Sequence, residues 1–216
     1  MSEPGAVRLE GLHAVKHALR FGAEVFEVTT DDPGRLEALA RELAPDVADA
    51  IAAAAAPGPG PFPPTGVVAC ARRPPFALPA PDGRPVVLLD HPRHLGNVGA
   101  AIRVAAAAGA AAVVVLGDAD PWHPQAVRGA AGLQFALPVG RVEEVPAGRP
   151  LVAMDPDGDG VDATPPGAIL AFGSERHGLS PEVLEPADAR VALPMRAGVS
   201  SLNLATAVAA TLYSLR

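Results

Sequence analysis

Two short runs, "PVVLLD" at 85–90 and "AAVVVLG" at 111–117, constrain the fold of this chain most tightly. A strand with one wet face alternates apolar and polar side chains. An unbroken apolar run needs cover on both faces, as in a parallel sheet sandwiched by helices. Between the runs, "HPRHLGNVGAAIRVAAAAGA" (91–110) predicts a helix over 98–108 closed by Gly109. Further along, "HPQAVRGAAG" reads as a helix, "PLVAMD" and "GAILAFG" as strands, "SPEVLEPA" as a short helix and "ARVALP" as a strand. "SLNLATAVAATLYSLR" closes the chain as a long helix. The pattern is that of an open α/β sheet, with a site expected at the carboxyl ends of its strands.

The first third is a smaller α/β layer: "GLHAVKHAL" as helix, "VFEVTT" as strand, "GRLEALARELA" as helix and "TGVVACA" as strand. Two proline-rich stretches, "IAAAAAPGPGPFPP" (51–64) and "RRPPFALPAPDGRP" (72–85), are expected to exclude regular structure. The second divides the chain into 1–74, a linker at 75–83, and 84–216. A single cysteine, Cys70, offers no disulfide framework and reads as a small buried hydrophobe. No unbroken apolar stretch approaches the ~20 residues of a membrane span. "MSEPGAVRLEG" lacks the apolar core of a signal peptide, so the cytoplasm is the expected location.

The formal charge of −7 argues against a protein that coats nucleic acid, while leaving room for a local basic patch. His13, Lys16, His17 and Arg20 fall at i, i+3, i+4 and i+7 and share one basic helix face. That face, like Arg72 and Arg73 after the last strand, reads by itself as solvated surface.

Polar residues in apolar settings carry the chemistry. Gly96 and Gly99 do not match a dinucleotide-binding turn, and no phosphate-binding G-K-[ST] occurs. What stands there is N-x-G-x-x-x-R: Asn97, Gly99 and Arg103. Asn97 suits a helix cap. Arg103, between Ile102 and Val104, is expected on a buried face, where its charge needs an acid such as Glu175 or an open cleft. "AFGSERHGLS" (171–180) puts Gly173, which admits a close approach to the backbone, and Glu175 at a strand end. "VALPMRAGVSSLNLATAVAA" (191–210) puts Ser200, Ser201 and Asn203 at the mouth of the last helix. His91 and His94 lie near no cysteine or further histidine and are read as loop residues, so no metal site is expected.

Together these stretches resemble the SpoU/TrmH branch of the SPOUT methyltransferases. "HLGNVGAAIRVAAAAGA" is similar to the first family motif, "LAFGSERHGLSPEVLEPADARVALPM" to the second and "SSLNLATAVAATLY" to the third. The resemblance covers 84–216, with "PQAVRGAAGLQFALPV" matching the intervening stretch. Residues 8–72 look more loosely like the family's ribosomal-protein-like RNA-binding domain. Val104 and Ala205 stand where threonine and serine are common, and His94-Leu95 replaces the usual Asp-Pro.

The resemblance implies a C-terminal trefoil knot, S-adenosylmethionine bent among its loops, and a homodimer with the site at its interface. It implies cofactor contacts from Leu116, Gly117, Gly173, Leu193, Met195 and Leu202. The implied activity is methyl transfer to a ribose 2′-hydroxyl of RNA, ribosomal before transfer RNA, with Asn97, Arg103, Glu175, Ser201 and Asn203 as the catalytic set. His13, Lys16, His17, Arg20, Arg72, Arg73 and Arg128 then become candidate RNA contacts. A non-catalytic RNA-binding module with the same fold is the rival.

Overall fold

The computed structural model describes residues 5–161 and 164–216; residues 1–4 of the first segment and 162–163 of the second lie outside it. The chain builds two sheets. Strands β1 (Ala6–Glu10), β2 (Val25–Thr30), β3 (Ala55–Pro57) and β4 (Val67–Arg72) form a four-stranded sheet in the order β1-β4-β2-β3. Its helices are α1 (Leu12–Arg20), α2 (Pro33–Leu43) and α3 (Ala48–Ala54). Strands β5 (Val86–Asp90), β6 (Ala112–Leu116), β7 (Val139–Val142), β8 (Leu151–Gly160), β9 (Ile169–Phe172) and β10 (Ala189–Ala192) form the second sheet, ordered β10-β8-β9-β5-β6-β7. Every pairing in it is parallel.

The apolar runs behave as two-sided strands. Val87 and Leu89 of β5 join one core while Val86 and Leu88 join another on the opposite face. The first core is covered by α4 (Leu95–Ala107), α5 (Pro124–Ala130) and α7 (Leu204–Ser214), and it continues into α1 and the first sheet through Val7, Leu9 and Val15. The second core is covered by α6 (Pro181–Leu184) and by Phe76 and Leu78 of the irregular segment 75–83. Arg149 pins that segment, donating to the carbonyls of Pro79, Arg84 and Gly167. The spacer is therefore packed on the sheet.

β1, α3, β3 and β7 were not expected from the sequence. β1 and β7 are short, and α3 with β3 occupies 48–57, overlapping from residue 51 the stretch expected to be irregular. The first proline of that stretch is Pro57, so the preceding alanines are free to form a helix, and Pro57 itself ends an edge strand, where no ladder donor is needed. Helix α4 starts three residues earlier than expected, which leaves His94 at its N-cap and Asn97 inside its first turn. Among the described residues, no helix is long and apolar enough to cross a membrane.

Candidate active site

The carboxyl ends of β9 and β10 and the middle of β8 open on a cavity of about 560 Å³. Its walls come from the loop after β9 (Gly173 to Leu179), the loop between β10 and α7 (Leu193, Met195, Ser200, Ser201, Leu202), and Met154 to Pro156 on β8. The apolar share of the wall is Phe172, Leu179, Leu184, Val191, Leu193 and Leu204. Of the expected cofactor contacts, Gly173, Leu193, Met195 and Leu202 line this cavity and Leu116 and Gly117 do not. Leu116 is buried, its carbonyl accepts the His91 N–H, and the His91 ring lies where a Cβ on Gly117 would stand. Sequence inspection missed Met154, Asp155 and Phe172, because β8 and β9 come together here only through the sheet order.

Glycine 173 has a different cause from the one expected. A side chain there would meet the backbone of Gly178 and Leu179, so the close approach is made by its own loop. Ser174 and Gly178 close that turn with two backbone hydrogen bonds of 2.9 and 3.1 Å. The turn thereby presents Glu175.

Three side chains from the three motif stretches meet at the cavity mouth. Asn97 Nδ2 donates to Glu175 Oε1 at 2.7 Å, and Asn203 Nδ2 donates to Asn97 Oδ1 at 3.2 Å. Asn203 Oδ1 accepts the N–H groups of Ala205 and Thr206 and so caps α7. The chain of bonds is polarised in one direction. A carboxylate can only accept, so Asn97 must donate its amide and turn its oxygen to Asn203. Burial alone would push the Glu175 carboxyl up. The Asn97 amide, the Arg93 N–H at 3.3 Å and nearby His94 outweigh it and hold the group below its ordinary range. Glu175 is thus an anion in the neutral pH range. Ser201 lines the same cavity on its exposed rim.

Arg103 lies elsewhere, and the expectation that it is buried is overturned. Val98, Gly99, Ala101, Ile102 and Ala105 make the buried face of α4, whereas Arg103 is exposed. It shares a stripe with Gly96, Ala100 and Ala107 at i, i+4, i+7 and i+11, where its neighbours are small. It makes no hydrogen bond or ion pair among the described residues. The acid considered for it, Glu175, is taken by Asn97.

The basic face of α1 is not a free surface either. Lys16 is buried with its Nζ 3.4 Å from the Leu43 carbonyl, and desolvation followed by the nearby Arg20 charge lowers its pKa. His17 donates from Nδ1 to the Ala131 carbonyl at 2.7 Å, and its burial favours the neutral ring. Arg20 is held by both oxygens of Asp46 at 2.6 and 2.5 Å. Arg72 pairs with Glu24, Arg73 lies 3.4 Å from Asp120 and stacks over Trp122, and Arg128 lies 3.3 Å from Glu10. Of the helix set His13 and Arg20 are exposed, and desolvation with the charges of Lys16 and Arg103 lowers the His13 pKa.

His91 sits with Asp90 and Glu182, with donor atoms of all three within 4.8 Å of one another. Asp90, buried at the end of β5, accepts from His91 Nδ1 at 2.6 Å and from the Ser180 N–H at 2.6 Å. Both its oxygens are therefore engaged in joining the first and second motif loops.

A SpoU rRNA Methylase family model matches residues 84–213. The chain is 39% identical over 145 residues to the 23S rRNA (uridine(2479)-2′-O)-methyltransferase of Streptomyces viridochromogenes, covering 59% of this chain and half the length of that relative. It is 30% identical to the 23S rRNA (guanosine(2553)-2′-O)-methyltransferase RlmP of Bacillus subtilis, over 96% of this chain and 87% of the relative. The crystal structure of the SpoU methyltransferase AviRb from Streptomyces viridochromogenes in complex with AdoMet superposes with a TM-score of 0.78 at 29% identity, covering 97% of this chain and 89% of that one. With its motif residues gathered around one cavity and a family model matched over more than half its length, this chain belongs to the SpoU rRNA methylase family.

Proposed function

We propose that the chain transfers a methyl group from S-adenosylmethionine to a ribose 2′-hydroxyl of RNA, with ribosomal RNA favoured over transfer RNA. The observation that carries this is the 2.7 Å Asn97–Glu175 bond, which joins the first motif to the second at the mouth of the cavity. The ribosomal preference is supported by the relatives, two of which are named for 23S rRNA.

The cavity residues fit the donor. Among the described residues, the loop over 193–202 keeps a single backbone hydrogen bond, Val199 N–H to the Arg196 carbonyl. Its other peptide groups are open to the edge of a purine, above the apolar wall of Phe172, Leu193 and Leu204. Gly173, Leu193, Met195 and Leu202 would hold the donor, which supplies an electrophilic methyl on a cationic sulfur. The apolar side of the wall suits a charge that fades as the methyl leaves.

The chain's own residues orient the acceptor. Asn203 orients Asn97, Asn97 holds Glu175, and Ser201 shapes the rim. Arg103 clamps the neighbouring phosphate and stabilises the developing alkoxide, because a guanidinium is hardly ever neutral and makes a poor base. Residues 1–74 would present the RNA to 84–216, with 75–83 as the strap between them. Pairing of two copies through the C-terminal region would cover Val199, Leu202 and Tyr213, which are exposed. A ribosomal RNA substrate would place the protein in the cytoplasm.

Titration calorimetry with S-adenosylmethionine is expected to give a saturable heat, retained within a few-fold in Arg103→Ala while methyl transfer is lost. A parent protein giving no heat would leave a non-catalytic RNA-binding module. Unchanged turnover in Arg103→Ala would reject the clamp.

A further inference from the structure

Asp90, His91 and Glu182 join the end of β5 to the start of α6, and among the described residues they form the trio of metal-ligating side chains whose donor atoms all lie within 4.8 Å of one another. The proposed methyl transfer uses none of the three. The Asp90 carboxylate accepts the His91 Nδ1–H at 2.6 Å, so the neutral ring carries its proton on Nδ1 and an open lone pair on Nε2. What Nε2 faces, at 3.8 Å, is a carboxylate oxygen, Glu182 Oε1. Two acceptors are thus opposed across a gap that calls for a positive charge.

We propose that a divalent transition-metal ion of the zinc class binds in this gap, ligated by His91 Nε2 and Glu182, with Asp90 holding the ring from behind and water completing the coordination. The site stands or falls independently of methyl transfer.

Distance, charge and donor type all favour such an ion. Zinc bonds of about 2.0–2.2 Å to imidazole and carboxylate set their donor atoms about 3.4 Å apart at a tetrahedral angle and about 4.1 Å apart in line. A separation of 3.8 Å therefore needs only a small turn of Glu182, whose side chain is 60% exposed and free to make it. In charge, a neutral ring between two ionised carboxylates leaves two negative charges, which a divalent ion balances. No lysine or arginine among the described residues pairs with either acid. In donor type, an imidazole beside a carboxylate suits zinc and its transition-metal neighbours, whereas calcium and magnesium take sets of oxygens.

The ring is also in place before any ion arrives. His91 has a backbone φ of +46°, in the left-handed region that few side chains enter, and three of its ring atoms lie 2.7 to 3.2 Å from where a Cβ on Gly117 would stand. A glycine at 117 is what leaves room for the ring. Behind it, the second oxygen of Asp90 is fixed by the Ser180 N–H at 2.6 Å, which completes the carboxylate–histidine half of a metal site. A bound ion would fasten α6, whose Leu184 walls the donor cavity, to the loop of the first motif.

The test is calorimetric titration of the chelator-treated full chain with zinc chloride, read with melting curves in the presence and absence of zinc. The parent is expected to bind zinc at this site and to gain about 3 °C or more in Tm at saturation, while magnesium and calcium give no gain. Glu182→Gln alters an exposed side chain, and His91→Asn places a residue that tolerates the left-handed backbone. Each is expected to weaken zinc binding at least tenfold and to abolish the gain in Tm. His123→Asn, at another exposed histidine, is expected to behave as the parent does. Nitrogen-15 spectra of the rings are expected to show zinc shifting His91 Nε2 while Nδ1 keeps its proton. Absence of zinc binding by the parent, or binding undiminished in Glu182→Gln and His91→Asn, would overturn the proposal. So would a His91 ring protonated on both nitrogens and indifferent to zinc, since a proton would then fill the gap. Should His91→Asn fail to fold, the result with Glu182→Gln decides.

Discussion

In the four-stranded unit Arg20 is clasped by Asp46 and Arg72 by Glu24, whereas in the second unit the guanidinium groups of Arg93, Arg103, Arg176 and Arg196 pair with no carboxylate among the described residues. Both regions are rich in cations, and only one has them free. A paired arginine offers little field to a polyanion. An unpaired one in a chain of net charge −7 is left available to a polyanion. The first unit spends its polar side chains on cohesion. His17 and Arg73 reach Ala131 and Asp120, and Glu10 receives Arg128 of α5, so that the two sheets' helices and loops are bound to each other.

The largest effect that would sharpen this contrast is on turnover. Arg103→Ala is expected to lower methyl transfer by about a hundredfold or more, as for loss of a charge-stabilising donor. Arg20→Ala, measured in the same assay, should leave it unchanged. Equal losses in the two variants would erase the distinction between the regions.

The next effect is on stability, and it tests the packing beneath the site. A Cβ at Gly99 would meet the backbone of Ala126, Gly129 and Ala130, where α4 and α5 touch. Gly99→Ala is expected to cost about 1–3 kcal/mol, a fall in Tm of about 3–10 °C by calorimetric scanning. A Tm equal to the parent's would show that α5 can move away.

A smaller effect concerns acid. The His17 pKa is lowered in the fold, chiefly by burial, so between that value and about 6.5 the unfolded chain binds more protons. Stability should therefore decline as pH falls below about 6.5, and His17→Gln should flatten part of that decline in pH-dependent melting. Glu175 has the opposite origin and a later onset. Its lowered pKa keeps the Asn97 bond intact until pH drops below the ordinary carboxylate range. The smallest change is expected for Arg20→Ala, since an exposed pair is worth about 0–1 kcal/mol.

Much of the fold was legible because local pattern decided it. The two-sided strands β5 and β6 declared themselves through unbroken valine and leucine, and the motif residues Asn97, Glu175 and Asn203 through polarity in apolar surroundings. β1 was passed over although Val7 and Leu9 alternate with polar residues in it, a signal only five residues long. Arg103 was misplaced because sequence neighbours such as Ile102 do not share its helix face. The residues that do, Gly96, Ala100 and Ala107, are small. The pairing of Arg20 with Asp46 and of Arg72 with Glu24 spans 26 and 48 residues, and no local pattern encodes it. The Asn97–Glu175 bond spans 78 residues and was equally hidden, although both ends were singled out.

The most direct test of the central claim follows the methyl group itself. Unmodified 23S rRNA transcript is incubated with methyl-labelled S-adenosylmethionine and the parent protein or Asn97→Ala, and the RNA is hydrolysed with alkali. The expected result is label in an alkali-resistant dinucleotide with the parent, because a 2′-O-methyl group blocks cleavage at its own phosphate, and none with Asn97→Ala. Label in a free mononucleotide would mean transfer to a base. Undiminished label with Asn97→Ala would mean that the Asn97–Glu175 contact has no part in the reaction.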